Sequence, residues 1–232
     1  MTDNKKHQLV IVGAGEFAEI AYEYFTYDSD YEVVGFVVEK AYIKETTLFG
    51  KPVTPLEDIL KDYPPEKFIL YTAVTYTQFN RVRKRLYEHC KKLGYSFATY
   101  ISSKAFVWRN AEIGENSFIF ENNTIQYHSK IGNNCVLWSG NHIGHRSVIQ
   151  DNCWLTSQAV ISGFCNVGRN CFIGVNATLG DNVKIPDDTW VGAAACLVKS
   201  PSEEKGKIYV GVPAKPLPAS AYEKFDVKES EI

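Results

Sequence analysis

Aliphatic residues recur at every sixth position along the middle of the chain. When the stretch from Ala105 to Ser200 is divided into blocks of six, the third residue of each of the sixteen blocks is Val, Ile or Leu, from Val107 to Leu197. The first residue of each block is small or slim: Ala, Ser, Cys, Asn, Thr or Val. A period of six matches neither the roughly 3.6-residue repeat of an α-helix nor the simple alternation of a strand. The pattern therefore predicts a parallel β-helix of hexapeptide repeats.

This architecture determines which residues lie above one another. Each block forms one short strand and one corner, and three blocks complete a triangular coil. Residues 18 apart therefore stack at a spacing of about 4.8 Å. The aliphatic residues point inward as a ladder, and the small residues allow the chain to turn beside them. Candidate functional residues can accordingly be sought in columns whose members are 18 positions apart.

The first hundred residues follow a different pattern, in which buried strands alternate with helices. Strands are predicted over residues 8–13, 32–38, 67–74 and 96–101, and helices over residues 16–25, 55–62 and 78–93. The pattern predicts an α/β half-Rossmann domain over 1–102, the β-helix over 103–217 and a polar tail over 218–232. A full dinucleotide fold needs two such halves, so we expect a mononucleotide-sized ligand here rather than NAD.

A glycine-rich turn follows the first predicted strand. Residues 13–18 read GAGEFA, a GxGxxA turn that brings backbone N–H groups and a helix N-terminus close to a phosphate. Glu39 ends the second strand, near the place where Rossmann folds carry an acid for a ribose or base. Two interpretations stay open at this stage. Gly13 and Gly15 either form a phosphate site or merely permit tight packing of the strand against the helix.

Composition and charge exclude several classes of protein. The formal net charge is −2, and no basic run exists outside the helix predicted over 78–93, so a nucleic-acid-binding surface is not expected. No signal peptide is recognised and no apolar run approaches membrane length, which favours a cytoplasmic protein without a membrane partner.

Four of the six cysteines share one position of the repeat. Cys135, Cys153, Cys165 and Cys171 are first residues of their blocks, where Ala and Ser occur elsewhere. We interpret them as compact buried side chains, rather than as disulfides or ligands of a metal, and expect no metal site.

One column of the coil combines residues suited to acyl transfer. His145 is a corner residue, two positions after the inward Ile143, and Gly163 occupies the same corner one coil further on. A glycine there is expected to expose its backbone N–H. A general base stacked beside such a donor is the minimal set of groups for acyl transfer, because the imidazole removes a proton and the N–H holds the developing oxyanion.

Two further features of the coil are expected to contact partners. His142 points outward beside Ile143 and either binds the acceptor or lies in a subunit interface. Trp154, Phe172 and Trp190 are 18 apart and form an outward aromatic column. An exposed stripe of this size is usually covered, so we expect a neighbouring subunit or part of a ligand to cover it.

From Lys130 to Lys215 the chain resembles the acyl-CoA-dependent sugar acyltransferases of the left-handed β-helix superfamily. It is most similar to the bacterial group that includes the bacillosamine N-acetyltransferases and the sialic-acid O-acetyltransferases. The GAGEFA half-Rossmann segment, the hexads and a closing YVGVPAK are the layout of that group, so the resemblance covers nearly the whole chain.

The resemblance implies a role for each matching residue. The catalytic histidine falls on His145 and the oxyanion glycine on Gly163. The acetyl-CoA track between two adjacent subunits falls on Gly174, Val175 and Ala193, and Lys215 lies where such enzymes often meet the nucleotide part of CoA. The nucleotide of the sugar substrate falls on Gly13, Gly15 and Glu39. Members of the group are homotrimers, because each active site needs two neighbouring coils.

Two departures from the group concern the candidate site. The group often has an acid directly after the catalytic histidine, where this chain has Arg146, so another group must orient His145. A second histidine that the group places near the cofactor corresponds to Trp154.

Three functions are compatible with these residues. We expect an acetyl-CoA-dependent N- or O-acetyltransferase that acts on a nucleotide-linked amino sugar, with His145 as general base. The alternatives are a non-catalytic sugar-nucleotide-binding or assembly protein, and a zinc enzyme like the γ-type carbonic anhydrases that uses His128, His142 and His145.

Overall fold

The computed structural model of the chain describes residues 7–228 and residue 230. The chain divides into two units. The first comprises residues up to 75 together with 85–100, and the second comprises residues 76–84 together with 101 onwards. The predicted division at residue 102 did not assign the segment 76–84 to the unit that contains the coil.

Parallel strands form the centre of the first unit. The strands are β1 (His7–Val12), β2 (Tyr31–Val38), β3 (Thr47–Leu48), β4 (Lys51–Pro55) and β5 (Ile69–Thr72). The helices are α1 (Glu16–Tyr27), α2 (Ile59–Asp62) and the greater part of α3 (Arg81–Lys92), with short 3-10 turns at Lys40–Tyr42 and Leu56–Asp58. The sheet order is β3-β4-β2-β1-β5, and all neighbours are parallel except the β3–β4 hairpin.

Helix α3 begins three residues later than the sequence predicts. Gln78, Phe79 and Asn80 have φ values of 49°, 52° and 67°, in the left-handed region. Three consecutive residues in this region cannot continue a right-handed helix. The helix therefore begins at Arg81, and the buried side chain of Phe79 packs in the second unit instead.

Short parallel strands that stack in coils make up most of the second unit. Its elements are β6 (Tyr100–Ile101), β7 (Phe106–Val107), β8 (Glu112–Ile113), β9 (Phe118–Ile119), β10 (Thr124–Ile125), β11 (Lys130–Ile131), β12 (Val136–Leu137), β13 (His142–Ile143), β14 (Val148–Ile149), β15 (Trp154–Leu155), β16 (Val160–Ile161), β17 (Asn166–Val167), β18 (Phe172–Ile173), β19 (Thr178–Leu179), β20 (Lys184–Ile185), β21 (Trp190–Val191), β22 (Cys196–Leu197), β23 (Lys207–Val210), β24 (Lys215–Ser220) and α4 (Ala221–Lys224).

The coil has three faces over its described length. Face A is the sheet β22-β19-β16-β13-β10-β7, face B is β20-β17-β14-β11-β8, and face C is β24-β23-β21-β18-β15-β12-β9-β6. Each repeat strand pairs with the strand 18 residues away, as Thr124 pairs with His142 and His142 with Val160. The aliphatic ladder forms the buried core between the faces. The predicted parallel β-helix and its 18-residue stacking are confirmed.

The sixth residue turns the corner in a left-handed conformation in every block except the first and the last. Positive φ values occur at every sixth position from Asn116 to Ala194. Asn is the commonest occupant, which is expected because Asn tolerates this conformation better than larger side chains do. Phe164 is an exception, since a bulky aromatic residue has a φ of 58° there.

The cysteines at first positions are packing residues, as predicted. Cys135, Cys153, Cys165 and Cys171 are buried in the core of the coil, and no disulfide forms among the described residues. Their thiols donate to backbone carbonyls at the next corner; Sγ of Cys153, for example, lies 3.0 Å from the oxygen of Gly168. Ser and Cys thus share this position because both are small donors.

Burial predicts low thiol reactivity in the folded protein. It raises the pKa of Cys90 to about 12 and raises the pKa values of Cys135 and Cys153 well above their usual range. Alkylation requires the thiolate, so these thiols stay unreactive at pH 8. We expect iodoacetamide to leave the five buried cysteines unlabelled in the folded protein and to label them after denaturation, as measured by peptide mass spectrometry. Rapid labelling of Cys135 or Cys153 without unfolding would contradict the buried assignment.

The outward aromatic column on face C is covered by the chain itself, not by another subunit or a ligand as expected. The ring of Tyr76 lies 5.4 Å from that of Trp154 and 4.9 Å from that of Phe172, and the ring of Phe225 lies 4.9 Å from that of Trp190. Trp154 is only 1% exposed. Large aromatic surfaces tend to be covered, and here two segments distant in sequence cover this one.

Buried arginines attach the segment 76–84 to the coil. Arg81 forms an ion pair with Asp188 at 2.8 Å, with side chains 6% and 8% exposed. Asp188 also accepts the hydroxyl of Tyr222 at 2.9 Å. Arg83 is fully buried; it donates to Oδ1 of Asn134 at 2.9 Å and lies over the ring of Trp154.

The end of the chain is more ordered than the predicted polar tail from residue 218. Strand β24 pairs with β23, and α4 begins with a capping box in which Ser220 and Glu223 bond reciprocally to the backbone. Phe225 then packs on the aromatic column. An apolar residue inside a polar stretch therefore attaches the described part of the tail to face C.

Candidate active site

His145 lies at an exposed corner of the coil, directly after β13. Its backbone N–H donates to Oε1 of Gln126 at 3.0 Å, and its carbonyl accepts the N–H of Phe164 at 3.0 Å. These two bonds fix the backbone of the corner to the coils on either side. The imidazole projects from a rigid position toward solvent.

The imidazole lies directly across Gly163. A Cβ placed on this glycine would be 2.5 Å from Cε1 and 2.9 Å from Nδ1 of His145. Real Cβ atoms do not approach other atoms so closely. Gly163 therefore provides the space in which the ring of His145 lies.

The N–H of Gly163 is not exposed, which corrects the expectation from sequence. Gly163 is buried, and its N–H donates to Oδ1 of Asp181 at 2.9 Å. Asp181 is the next member of the same column, and its side chain reaches the N–H along the corner. Other corners use the same device, as when Asn133 donates its N–H to Oδ1 of Asp151 at 2.7 Å.

Aromatic contact, rather than a hydrogen bond, surrounds the His145 ring. The ring of Phe164 meets it edge-on, with centroids 5.1 Å apart. Among residues 7–228 and 230, neither ring nitrogen of His145 has a hydrogen-bond partner. Arg146, which stands where the resembling group often has an acid, lies over the ring of Tyr127, with 5.5 Å from its Cζ to the ring centroid.

An open groove of about 600 Å³ surrounds the imidazole. We call it the His145 groove. Besides His145, it is lined by Phe106, Trp108, Gln126, Tyr127, Arg146 and Phe164. The four aromatic residues of this set are each between 43% and 53% exposed. A concave site with apolar walls and a few polar groups is the usual form of a small-molecule site.

The close contact between His145 and Gly163 allows a substitution that should lower activity and leave stability nearly unchanged. In Gly163→Ala the new methyl group displaces the imidazole, and a displacement of this size is expected to lower kcat about 100-fold. The melting temperature should change little, since the methyl group meets the end of a side chain. Steady-state kinetics and thermal unfolding of the same preparation check both expectations.

Gly144→Ala is the matched control for that substitution. Its methyl group would lie 2.5 Å from the carbonyl carbon of Ser162, which is backbone. Overpacking against backbone is expected to cost about 1–3 kcal/mol of unfolding free energy. A Gly163→Ala protein that loses stability but keeps full activity would contradict the placement of the ring.

The predicted cofactor residues lie at a different corner from His145. Val175 and Ala193 stack in a column after β18 and β21, and the N–H of Ala194 donates to the carbonyl of Val175 at 2.7 Å. Gly174 is buried, because a Cβ there would meet the backbone N of Ala193 at 2.5 Å. Lys215 is exposed at the start of β24. One chain does not bring this column to His145.

The predicted nucleotide residues lie at one edge of the sheet in the first unit. Gly13 and Glu39 follow the adjacent parallel strands β1 and β2. Gly13 has a φ of 127° and packs on Ala73, so this position requires glycine for structural reasons. A Cβ on Gly15, at the N-cap of α1, would meet nothing within 4 Å, which leaves space for a ligand.

The carboxylate of Glu39 is already engaged within the first unit. It accepts two hydrogen bonds from the guanidinium of Arg85, at 2.8 and 3.0 Å. This pairing lowers the pKa of Glu39. A nucleotide hydroxyl that bonds to Glu39 would therefore share the carboxylate with Arg85.

The remaining histidines do not form a metal site with His145 in the part of the chain that the structure describes. There, no group of three His, Cys, Asp or Glu side chains is placed to hold a metal ion. His142 is half-buried on face A, between Thr124 and Val160, so the structure leaves both of its predicted roles open.

Sequence reasoning missed two residues at the site, Asp181 and Phe164. The 18-residue spacing that relates His145 to Gly163 also leads to Asp181, so that column contained the signal. Phe164 is unusual for its position, because it is the sixth residue of its block and the neighbouring coil has Asn182 there.

One sequence-family model matches part of the coil. The family of the bacterial transferase hexapeptide (six repeats) matches residues 110–145. No curated protein matches the chain.

Solved structures match both units of the chain. PerB from Caulobacter crescentus, in complex with CoA and GDP-perosamine, has a TM-score of 0.79 and 25% identity, over 90% of this chain and 97% of that one. The acetyltransferase domain of PglB from Neisseria gonorrhoeae FA1090 has a TM-score of 0.79 and 23% identity, over 91% and 100%. WeeI from Acinetobacter baumannii AYE has a TM-score of 0.74 and 23% identity, over 90% and 99%.

These matches confirm the predicted architecture, an α/β half-Rossmann domain followed by a left-handed β-helix. The predicted resemblance to sugar acyltransferases of this superfamily is confirmed at the level of the fold. In the described part of the chain, every helix is too short or too polar to cross a membrane.

Proposed function

We propose that this protein transfers an acetyl group from acetyl-CoA to an amino or hydroxyl group of a nucleotide-linked amino sugar. The observation that carries the proposal is the imidazole of His145, which lies across Gly163 in an open groove of the coil. Support comes from the match to PerB, whose structure contains CoA and GDP-perosamine.

His145 would act as general base in a direct transfer. A ring nitrogen of His145 accepts the proton of the sugar's amine or hydroxyl group while the nitrogen or oxygen of that group attacks the thioester carbon. A C–N or C–O bond forms, and the C–S bond of the tetrahedral intermediate then breaks. The departing CoA sulfur takes the proton back from the imidazolium, so no covalent enzyme intermediate arises.

Gly163 would stabilise the oxyanion only when its N–H is released from Asp181. Its N–H is committed to Asp181, and an N–H bonded to a carboxylate does not stabilise a second negative oxygen well. Asp181 is exposed, and its side chain would have to turn toward solvent when a thioester binds. In that arrangement the N–H of Gly163 becomes the oxyanion donor.

The column of Val175 and Ala193 fits the acetyl-CoA track. Both residues are exposed, and Gly174 and Gly211 lie beside them. A corner with such small side chains leaves a smooth channel for an extended pantetheine chain. When bound there, acetyl-CoA supplies the activated acyl group, and Lys215 would contact its phosphates. Gly13, Gly15 and Glu39 would bind the nucleotide of the acceptor.

A homotrimer would unite the two corners. His145 and Val175 lie at opposite borders of face A. Face C is covered by the chain's own aromatic residues, and face B carries charged outward residues such as Lys130 and Lys184. The outward residues of face A include no Lys, Arg, Asp or Glu; they are Phe106, Thr124, His142, Val160, Thr178 and Cys196. Face A is thus the face best suited to meet a second copy.

Mixing two inactive variants tests the shared site. His145→Ala lacks the base, and Ala193→Trp blocks the cofactor track, so each protein alone is expected to be inactive. Random mixing within homotrimers should restore about a quarter of the wild-type sites, since each site takes the two corners from different subunits. Refolding the variants together and assaying acyl transfer checks this, with native mass spectrometry to verify mixed trimers. Mixed trimers without activity would contradict a shared site.

A non-catalytic sugar-nucleotide-binding protein is the second candidate. The observations that favour it are Arg146 in place of an acid and the N–H of Gly163 bound to Asp181. Such a protein would bind nucleotide-linked sugars but release no CoA.

Calorimetry and thiol release distinguish the two candidates. The proposal predicts that CoA binds and that acetyl-CoA yields free thiol when a UDP-, dTDP- or GDP-linked amino sugar is present. Sugar binding without any thiol release would favour the second candidate. Absence of both CoA binding and thiol release would refute the proposed function.

A further inference from the structure

Arg146 lines the His145 groove and has no acidic residue beside it in that lining. Its side chain lies over the ring of Tyr127, with 5.5 Å from Cζ to the ring centroid. In the described part of the chain it forms neither an ion pair nor a hydrogen bond. The groove lining contains no Asp or Glu. The guanidinium of Arg146 is therefore a permanent positive charge that stacks on Tyr127 and is available to bind an anion.

The walls of the groove favour a flat, partly apolar ring. Phe106, Trp108, Tyr127 and Phe164 expose aromatic surface on the sides of the imidazole. Aromatic faces pack well against the C–H faces of a pyranose and leave its polar edges free. A volume of about 600 Å³ holds a sugar ring together with a charged substituent.

Backbone strain supports a binding role for Phe164. Its φ of 58° is costly for a bulky side chain, by roughly 1–2 kcal/mol relative to a right-handed conformation. Other corners avoid this cost with Asn, as the next coil does at Asn182. A strained aromatic residue beside the general base is an observation from which a functional role can be inferred.

We propose that Arg146 is the anion-binding residue of the acceptor subsite and that the acceptor presents negatively charged oxygens beside its nucleophile. The guanidinium donates paired hydrogen bonds to a carboxylate or phosphate, and the aromatic wall holds the sugar ring against His145. The inference rests on the proposed function and makes it more specific. The anion is either a carboxylate on the acceptor sugar or the diphosphate that links it to the nucleoside.

Arg146→Gln tests the charge without disturbing the corner. Gln158 adopts a φ of 62° at the same block position, so glutamine is compatible with the backbone. Loss of a charge-assisted hydrogen bond should raise KM for the acceptor about 10- to 100-fold and leave KM for acetyl-CoA unchanged. Arg146→Lys should recover only part of this loss, since lysine does not bind bidentately. Arg169→Gln, at an exposed corner of another column, is the matched control and should change neither KM.

Two acceptors distinguish the sources of the anion. One is a nucleoside-diphosphate amino sugar with a neutral ring, and the other carries a carboxylate on the ring. A larger effect of Arg146→Gln on the carboxylated acceptor assigns the anion to the sugar, and an equal effect on both assigns it to the diphosphate. Either result supports the proposal. A raised KM for acetyl-CoA, or no change in either KM, would overturn it.

Phe164→Asn tests the aromatic wall separately. Asn relieves the left-handed strain, so the unfolding temperature should not fall, while KM for the acceptor should rise severalfold. Gln158→Asn is the control that shares the backbone conformation and should leave both KM values unchanged. If Phe164→Asn instead dissociates the oligomer with unchanged KM, the groove is an interface between copies and the proposal fails.

Calorimetry keeps the inference separate from the proposed function. Wild-type protein titrated with the nucleoside-diphosphate sugar should bind it, and Arg146→Gln should bind it at least tenfold more weakly, whether or not turnover occurs. Binding with this difference but no acyl transfer by the wild-type protein would refute the enzyme and preserve the anion site. Acyl transfer with no effect of Arg146→Gln on binding would support the enzyme and refute the anion site.

Discussion

Replacement of His145 by Ala is expected to lower kcat for acyl transfer by about 10²–10⁴-fold, the range typical for loss of a general base. Affinity for CoA and for the acceptor should stay close to that of the wild-type protein. The side chain is exposed and neither ring nitrogen has a hydrogen-bond partner in the described chain, so its removal leaves the fold intact. Steady-state kinetics and calorimetry on one preparation give both quantities.

His128→Ala is the control for this substitution. His128 is an exposed corner residue one coil before Arg146 in the same column, and it lies outside the lining of the His145 groove. Its removal should leave kcat unchanged. Equal turnover by the His145→Ala and wild-type proteins would show that another group acts as base. Loss of ligand affinity together with turnover would show that His145 binds rather than catalyses.

Replacement of Arg81 by Met is expected to lower the unfolding free energy by about 3–5 kcal/mol, because it leaves a buried carboxylate without its ion-pair partner. Arg81 and Asp188 are 2.8 Å apart and almost fully buried. The neutral donors Tyr222 and Asn170 remain at Asp188, at 2.9 and 3.0 Å, but they do not balance its charge. Urea denaturation followed by circular dichroism measures the loss.

A second substitution separates charge from packing. Arg81→Met combined with Asp188→Asn removes both charges and should recover at least about 2 kcal/mol of the loss, since no buried carboxylate remains unpaired. Asn is compatible with the φ of 59° at this position. Lys130→Met, which breaks an exposed pair with Glu112, should have no measurable effect. A double variant as unstable as Arg81→Met would show that the loss comes from packing.

The local repeat determines most of the coil, which is why its sequence predicts it well. Each coil needs an inward aliphatic residue at every sixth position, and these residues pack against those of the adjacent coils. Three blocks of six residues complete one coil, so the positions in each column are 18 residues apart. The contact of His145 with Gly163 is a consequence of that arithmetic. The burial of Cys135 and Cys153 follows in the same way.

Contacts between distant segments did not follow from the pattern. Tyr76 lies just before a segment that resembles an ordinary amphipathic helix, and Arg83 lies within that segment. Phe225 lies within a polar stretch. Nothing in their local sequence indicates that they cover face C. The bond from Gly163 to Asp181 has another origin, because a glycine at a corner indicates an open N–H only when no side chain of the next coil accepts it, and here Asp181 does.

The most direct test of the proposed function is the mass spectrum of each nucleotide-linked amino sugar after incubation with the protein and acetyl-CoA labelled in its acetyl group. The proposal predicts labelled acetyl on the sugar, in an amount equal to the CoA thiol released, with wild-type protein and not with His145→Ala. Unmodified sugars across the UDP-, dTDP- and GDP-linked series, or equal thiol release without any acceptor, would contradict it.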